Sequence, residues 1–247
     1  MNMADKVALV TGGGTGLGRI ISELLTAHGA QVWVNYSQSQ SAAEETVTHL
    51  RATGGRAYAI QADISQSSHV SRMFDTIKEV TGGVDILVAN AATTVFRDFS
   101  DLDGISEEEW DQVFAVNVKG TWLTARRAAE QMNERGAGRI VTISSVAGLK
   151  AQGSSLPYCV SKAAVIQMTR VLAKALAPHI LVNTVAPGLL DTRWSRGHNP
   201  KTIETFLSSS PLHTVPSLTD VAQQVMGLIE TSSITGQVVV VDAGVTL

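Results

Sequence analysis

Tyr158 and Lys162 are four residues apart, so a helix would stack them on one face, one turn from each other. A free tyrosine, with a pKa of roughly 10, exchanges protons poorly near neutrality. A neighbouring ammonium favours the phenolate, and lowering the pKa by about three units corresponds to roughly 4 kcal/mol. The pair therefore fits an acid-base tyrosine tuned by a lysine, although any tyrosine and lysine at this spacing share the geometry. Ser145 precedes them, just past the apolar run Arg139 to Ser144. At the carboxyl end of a strand it could hydrogen-bond both a substrate carbonyl and the tyrosyl oxygen. Ser144 competes for that role, with a turn or cap as its plainer use.

A second group of residues concerns binding. The apolar run Val7 to Thr11 passes directly into Gly12, Gly13, Gly14, Thr15, Gly16, Leu17 and Gly18, and then into a helical pattern. Glycines permit a tight turn and let the backbone approach a pyrophosphate, which the free amides and dipole of the next helix stabilise. The run lacks the Gly-Lys-Ser/Thr ending of a nucleoside triphosphate loop. In dinucleotide folds an acidic residue near the end of the second strand holds the ribose hydroxyls of NAD. Here that stretch is Val34, Asn35, Tyr36, Ser37 and Gln38, without Asp or Glu, so NADP(H) is favoured over NAD(H). It also lacks Arg and Lys, and Ser37 and Gln38 are neutral donors to a phosphate. Asp63, beyond the third strand, could accept from an adenine amino group. A helix cap is its alternative use, with Ser65 the better cap.

These residues need a scaffold, and the rest of the chain supplies one. Short apolar runs at Val7 to Thr11, Gln31 to Asn35, Ala57 to Ala62, Asp85 to Ala89, Arg139 to Ser144, Ile180 to Ala186 and Gln237 to Asp242 have strand length. Most lack inside-outside alternation, as expected of strands covered on both faces. Helical patterns lie between them, at Gly18 to His28, Gln40 to Thr53, Ser67 to Thr81, Glu107 to Arg135, Leu156 to Ala177 and Thr219 to Glu230. The alternation predicts a Rossmann-type α/β fold: a doubly wound, seven-stranded parallel sheet with helices on both faces, in a single domain over 1–247. Leu189 to Ser217, with four residues of the Pro/Gly type and the aromatics Trp194 and Phe206, departs from this rhythm. It reads as a substrate loop over the carboxyl ends of the strands, with a surface excursion as the alternative.

Composition narrows the class. The chain has 247 residues, 44% hydrophobic and 17% charged, with a formal net charge of -3 and no long basic run, which argues against nucleic acid as a partner. One cysteine, Cys159, rules out an internal disulfide framework and fits a reducing, cytoplasmic compartment. No apolar run approaches the roughly 20 residues a membrane span needs, and the first residues do not look like a signal peptide.

Taken together, the chain resembles the classical short-chain dehydrogenases/reductases over essentially its whole length. The family's Thr-Gly-x-x-x-Gly-x-Gly is met by Thr11, Gly12, Gly16 and Gly18, its Tyr-x-x-x-Lys by Tyr158 and Lys162, and its serine by Ser145. Its Asn-Asn-Ala-Gly stretch appears as Ala89, Asn90, Ala91 and Ala92, with alanine at the first asparagine and at the glycine. Its helix asparagine matches Asn117, and its Pro-Gly followed by threonine matches Pro187, Gly188 and Thr192.

The resemblance implies roles. Tyr158 would be the general acid in carbonyl reduction, Lys162 would lower its pKa and hold the nicotinamide ribose, Ser145 would polarise the carbonyl, and Asn117 would orient a water in a proton relay. Cofactor contacts would come from Gly12, Gly14, Thr15, Gly16, Leu17 and Gly18 at the pyrophosphate. Tyr36, Ser37, Gln38, Asp63 and Ile64 would serve the adenosine, with Asn90 alongside, and Pro187, Gly188, Leu189 and Thr192 the carboxamide. No metal is implied. Substrate would meet Ser145, Tyr158 and Trp194, with Arg193 or Arg196 available to an anionic part.

The pattern is most similar to bacterial 3-oxoacyl-carrier-protein reductases, implying an NADPH-dependent reductase of a small-molecule or thioester carbonyl. Their basic carrier-docking sites align with Gly136 and with Pro178 or His179, although Arg135 and Arg139 flank the first. An oxidative alcohol or sugar dehydrogenase shares the same catalytic residues. A cofactor-binding regulatory protein would have little need of the Ser145, Tyr158 and Lys162 set. The family also implies a homotetramer, or a dimer.

Overall fold

Val7 and Leu9 of β1 (Val7–Val10) enter one apolar cluster, while Ala8 and Val10 enter another. Successive strand residues point to opposite faces, so the two clusters are cores on the two sides of one sheet. The computed structural model describes residues 1–192 and 200–247, with 200–202 as backbone only. The remaining strands are β2 (Gln31–Tyr36), β3 (Arg56–Gln61), β4 (Ile86–Ala89), β5 (Gly138–Ile143), β6 (Ile180–Pro187) and β7 (Val238–Val241). All pairings are parallel and the order is β3-β2-β1-β4-β5-β6-β7. This is the expected Rossmann-type sheet.

The helices are α1 (Gly16–Ala27), α2 (Gln40–Ala52), α3 (Ser67–Thr81), α4 (Glu107–Phe114), α5 (Thr121–Glu134), α6 (Leu156–Leu176), α7 (Pro200–Ser209) and α8 (Leu218–Glu230). One core packs α1, α2 and α8 on the sheet; the other packs α3, α5 and part of α6. α3 shows why the pattern was readable: Val70, Met73, Phe74 and Ile77 recur at helical spacing and are buried, and Gly82 ends the helix with φ 80°. α4 is specified locally by a capping box between Ser106 and Glu109, and three glutamates in its first turn suit the helix dipole.

Two expectations are corrected. The helical pattern Glu107 to Arg135 is not one α-helix, because a π-helical turn, Ala115–Gly120, separates α4 from α5. A Cβ on Gly120 would lie 2.8 Å from Ile64 Cγ1, so the wider turn brings backbone against the loop after β3. Thr121 and Thr124 donate back to the carbonyls of Asn117 and Gly120, at 2.7 and 2.9 Å, which favours distortion of the ladder there. Nor does Ser65 or Asp63 cap α3. Gln66 occupies the cap position, while Asp63 Oδ1 accepts from the amide and the hydroxyl of Ser65, at 2.9 and 2.7 Å, in a turn before the helix.

Beyond β6 the region expected to form a substrate loop contains α7 and returns beside the segment after β7. Ser210, 1% exposed, donates through its hydroxyl to Ala243 O at 2.9 Å, and a Cβ on Gly188 would lie 2.8 Å from Phe206 Cζ. Trp194, Arg193 and Arg196, the loop residues singled out for substrate contact, lie outside the described residues. Among the described residues no helix is long and apolar enough to cross a membrane.

Candidate active site

β1 and β4 are sheet neighbours although far apart in the chain, so the connections leaving their carboxyl ends diverge there. Such a switch point opens a crevice. Thr11 Oγ1 accepts from the amides of Asn90 and Ala91, both at 3.0 Å, and Asn90 Nδ2 donates to the carbonyls of Thr11 and Gly12, at 2.9 and 3.2 Å. The loop after β4 thus clamps the glycine loop. Gly12 and Gly16 have φ of 62° and 51°, in the left-handed region. A Cβ on Gly18 would lie 2.3 Å from Gly12 O, and one on Gly14 would lie 2.8 Å from Ala43 Cα.

Only a side-chain-free loop can turn this tightly against α1 and α2. Leu17 is 7% exposed and packs into the core below. Thr15, at the start of α1, makes no side-chain cap bond, and the first turn carries no acid. The amides at this helix end therefore remain available, and they border the cavity. That arrangement fits the pyrophosphate of a dinucleotide.

The cavity encloses about 980 Å³ and runs along the carboxyl edge of the sheet. At one end it is lined by Tyr36, Ser37, Gln38, Asp63 and Ile64, beyond β2 and β3. Neither Asp nor Glu ends β2, as read from the sequence. Arg56 pairs with Gln31 at the amino end of β3 and bonds Asp5, so it is at the opposite edge of the sheet. At the other end lie Pro187, Gly188, Leu189 and Thr192. A Cβ on Gly16 would lie 3.4 Å from Thr192 Cγ2, so these two loops nearly meet across the crevice.

Between the ends lie Ser145, Tyr158 and Lys162. Ser155 caps α6, accepting from the Tyr158 amide, which sets the phenol in the first turn and Lys162 one turn further on. Lys162 is 3% exposed; its ammonium donates to Ile143 O at 2.9 Å and stands 5.6 Å from the centroid of the Tyr158 ring. Ser145 hydrogen-bonds the Tyr158 phenol, and its hydroxyl also reaches Pro187 O at 3.4 Å and accepts from the Ala147 amide. Ser144 is buried and donates to Lys162 O at 2.8 Å, a structural use that separates the two serines.

Burial pushes the Tyr158 phenol up to about 12, aided by Cys159, and the bond from Ser145 opposes the rise. The expectation of a lowered tyrosine is corrected in this structure: withdrawal from water outweighs the favourable partners. Burial also pulls Lys162 down from 10.5 to about 8.

Asn117, 1% exposed, is held in the π turn away from the cavity lining. Its Oδ1 accepts from the Thr93 amide at 2.8 Å, and its Nδ2 donates to Thr93 O and Ser161 Oγ at 2.9 and 3.0 Å. Ser161 in turn donates to Tyr158 O at 2.7 Å, so the π turn, the loop after β4 and α6 are linked. Reading the sequence alone missed Thr93, Gln112, Gln152 and Thr205, which also line the cavity. For Gln112 a faint signal exists, since it precedes Val116 by one turn and both face the crevice. Among the described residues no group of three His, Cys, Asp or Glu side chains could hold a metal ion.

An open parallel sheet with a dinucleotide-type glycine loop at its switch point, and a serine, tyrosine and lysine in the same crevice, defines a broad class of nucleotide-binding folds. The chain belongs to the short-chain dehydrogenase family, whose model matches residues 6–202. It is 36% identical over 242 residues to a 3-oxoacyl acyl-carrier-protein reductase of Staphylococcus aureus, covering 97% of each chain. A short chain dehydrogenase from Burkholderia cenocepacia, solved in complex with NADP, has a TM-score of 0.91 and 33% identity over 100% of both chains. A short-chain type dehydrogenase/reductase from Mycobacterium marinum has a TM-score of 0.92 and 32% identity, covering 99% of this chain and 97% of that one.

Proposed function

We propose that this protein reduces a carbonyl to an alcohol with hydride from NADPH, on a 3-oxoacyl thioester or a similar ketone. The observation that carries the reading is the convergence of Ser145, Tyr158 and Lys162 in the cavity that the glycine loop borders. When bound, the nicotinamide supplies the hydride. The chain's own residues orient the substrate and deliver the proton. Ser145 directs a hydroxyl to the carbonyl oxygen, and Tyr158 donates to that oxygen as it gains charge. A phenol raised to about 12 keeps its proton at neutral pH, the form reduction needs, whereas alcohol oxidation needs it gone. Lys162 places a cation behind the phenol to stabilise the oxyanion left after transfer. Asn117 acts through its position, fixing the π turn behind α6 with Thr93 and Ser161; the role the family resemblance gives it is to orient a water that resupplies the proton through Lys162.

The cofactor assignment rests on the missing carboxylate at the end of β2 and on the uncharged Tyr36, Ser37 and Gln38. NADP in the Burkholderia structure supports it, and the 3-oxoacyl activity named for the Staphylococcus relative supports the substrate reading. A homotetramer is part of the same reading. Trp122 on α5 and Val160 and Val171 on α6 are 43%, 43% and 58% exposed, and Val240 lies on the edge strand β7, surfaces suited to copies of the chain. A cytoplasmic location goes with the single cysteine.

The test is to titrate the protein separately with NADPH and NADH, then supply the preferred cofactor with 3-oxoacyl thioesters, diketones and sugars. Tighter NADPH binding and turnover of the thioester are expected. Preference for NADH would overturn the cofactor, and turnover confined to sugar oxidation would favour the oxidative dehydrogenase.

A further inference from the structure

Gln112, exposed near the end of α4, and Gln152, half-buried on the loop between Ser145 and Tyr158, line the same cavity as the phenol. Neither carboxamide bonds to another described residue. Thr93 and Thr205 line it too, and their hydroxyls bond no other described residue; the bonds these threonines make use their backbone groups. Other hydroxyls of the wall are already committed: Ser154 pairs with Thr94 at 2.5 Å, and Ser209 donates to Phe206 O at 3.1 Å.

The charged groups among the described lining residues are Asp63, engaged by Ser65, and Lys162, engaged by Ile143 O. The cavity wall, away from the glycine loop and the end of β2, thus includes apolar Val116, Leu190 and Phe206 and four uncharged side chains able to hydrogen-bond. A carboxamide has two donor hydrogens and an acceptor oxygen. A hydrocarbon displacing water from it would leave both unmet, and a carboxylate would meet only the donors; each mismatch costs free energy.

We propose that Gln112 and Gln152, with Thr93 and Thr205, form a subsite for an uncharged group that both donates and accepts hydrogen bonds, next to the reacting carbonyl. Hydroxyl and amide groups have this chemistry. The first would come from a polyhydroxylated ketone, the second from the amide-bearing arm of a thioester. The proposal rests on the carbonyl-reductase reading and narrows its substrate.

Two matched pairs test it: dihydroxyacetone against its isostere diethyl ketone, and the N-acetylcysteamine thioester of acetoacetate against the ethyl thioester. Each pair is assayed for kcat/KM with the parent, Gln112→Leu and Gln152→Leu, and cofactor titration reports an intact fold. The expected result is a parental preference of about tenfold or more for the polar member of at least one pair, the scale of one charge-free hydrogen bond or two. Each leucine variant should narrow that ratio severalfold. The pair that shows the effect identifies the source, hydroxyl or amide. Equal rates within both pairs, or a ratio that neither variant changes, overturn the subsite. Cofactor binding without turnover of any of the four compounds would instead remove the reductase reading and the subsite with it.

Discussion

The Lys162 ammonium stands 5.6 Å from the centre of the Tyr158 ring while donating to Ile143 O at 2.9 Å. A backbone carbonyl of β5 therefore fixes the cation beneath the phenol, and both groups are withdrawn from water. Their pKa values move apart, the tyrosine up to about 12 and the lysine down to about 8. Burial keeps the phenol protonated and weakens the hold of the lysine on its proton while leaving it mostly cationic at neutral pH, so bound charge in the cavity has leverage over the pair.

Replacing Tyr158 by Phe should leave NADPH binding within a few-fold of the parent and lower kcat by about 10²- to 10⁴-fold, the usual contribution of a positioned general acid. Steady-state reduction assays with a fluorescence titration of the cofactor measure both. Undiminished turnover would remove Tyr158 as the proton donor.

Lys162 makes stability depend on pH. Its folded pKa, about 8, lies below the usual 10.5, so between these values the unfolded chain binds more protons than the folded one. Stability contributed by this group therefore rises from pH 8 to about 10, relieving a burial cost of about 3 kcal/mol that is fully present below pH 8. Tyr158 acts in the opposite sense only above pH 10, where its raised pKa makes stability fall. Urea denaturation of the parent and of Lys162→Met across pH 7 to about 10 should show the parent gaining relative to the variant; parallel curves would refute it.

Gly18→Ala should damage the binding loop itself. The added carbon would lie 2.3 Å from Gly12 O and 2.7 Å from Asn90 Nδ2, which no rotamer relieves. Loss of about 2 kcal/mol of stability or more, with at least tenfold weaker NADPH binding, is expected from calorimetry and titration.

Ser37→Asp tests the cofactor end. A carboxylate placed just past β2, where Tyr36, Ser37 and Gln38 are uncharged, should weaken NADPH by about tenfold or more through repulsion, while NADH is retained or improved. Equal losses for both cofactors would show that Ser37 does not face the phosphate.

Asp85 offers a control remote from the cavity. Its side chain, 2% exposed, accepts from Arg135 at 2.8 Å and from the Val7 amide at 2.9 Å, at the amino edge of the sheet. Asp85→Ala strands these donors and should cost about 3 kcal/mol or more in thermal or urea unfolding. NADPH affinity of the folded fraction should stay at the parental value.

The sheet was legible because β1 and β4 are buried on every residue and read as unbroken apolar runs, while α3 shows its apolar stripe openly. The glycines, the tyrosine and the lysine were legible because each has a chemistry that few other residues can replace. The π turn was not, since its cause is Gly120 meeting Ile64 across a long sequence gap. The choice between Ser144 and Ser145 turned on which hydroxyl meets the Tyr158 phenol and which is spent on the Lys162 carbonyl, and a strand of uncertain end cannot tell adjacent residues apart. The direction of the Tyr158 shift was illegible for a related reason: spacing reveals a neighbouring charge, but burial depends on everything folded over it.

The clamp between Thr11 and Asn90 ties chain segments separated by 79 residues, and it exists only once β1 and β4 are side by side. Contacts so distant in the chain form late, after the entropy of closing the intervening loop has been met. Regain of NADPH binding during refolding should therefore lag behind helix formation, making the cofactor a clock for the slowest strand pairing.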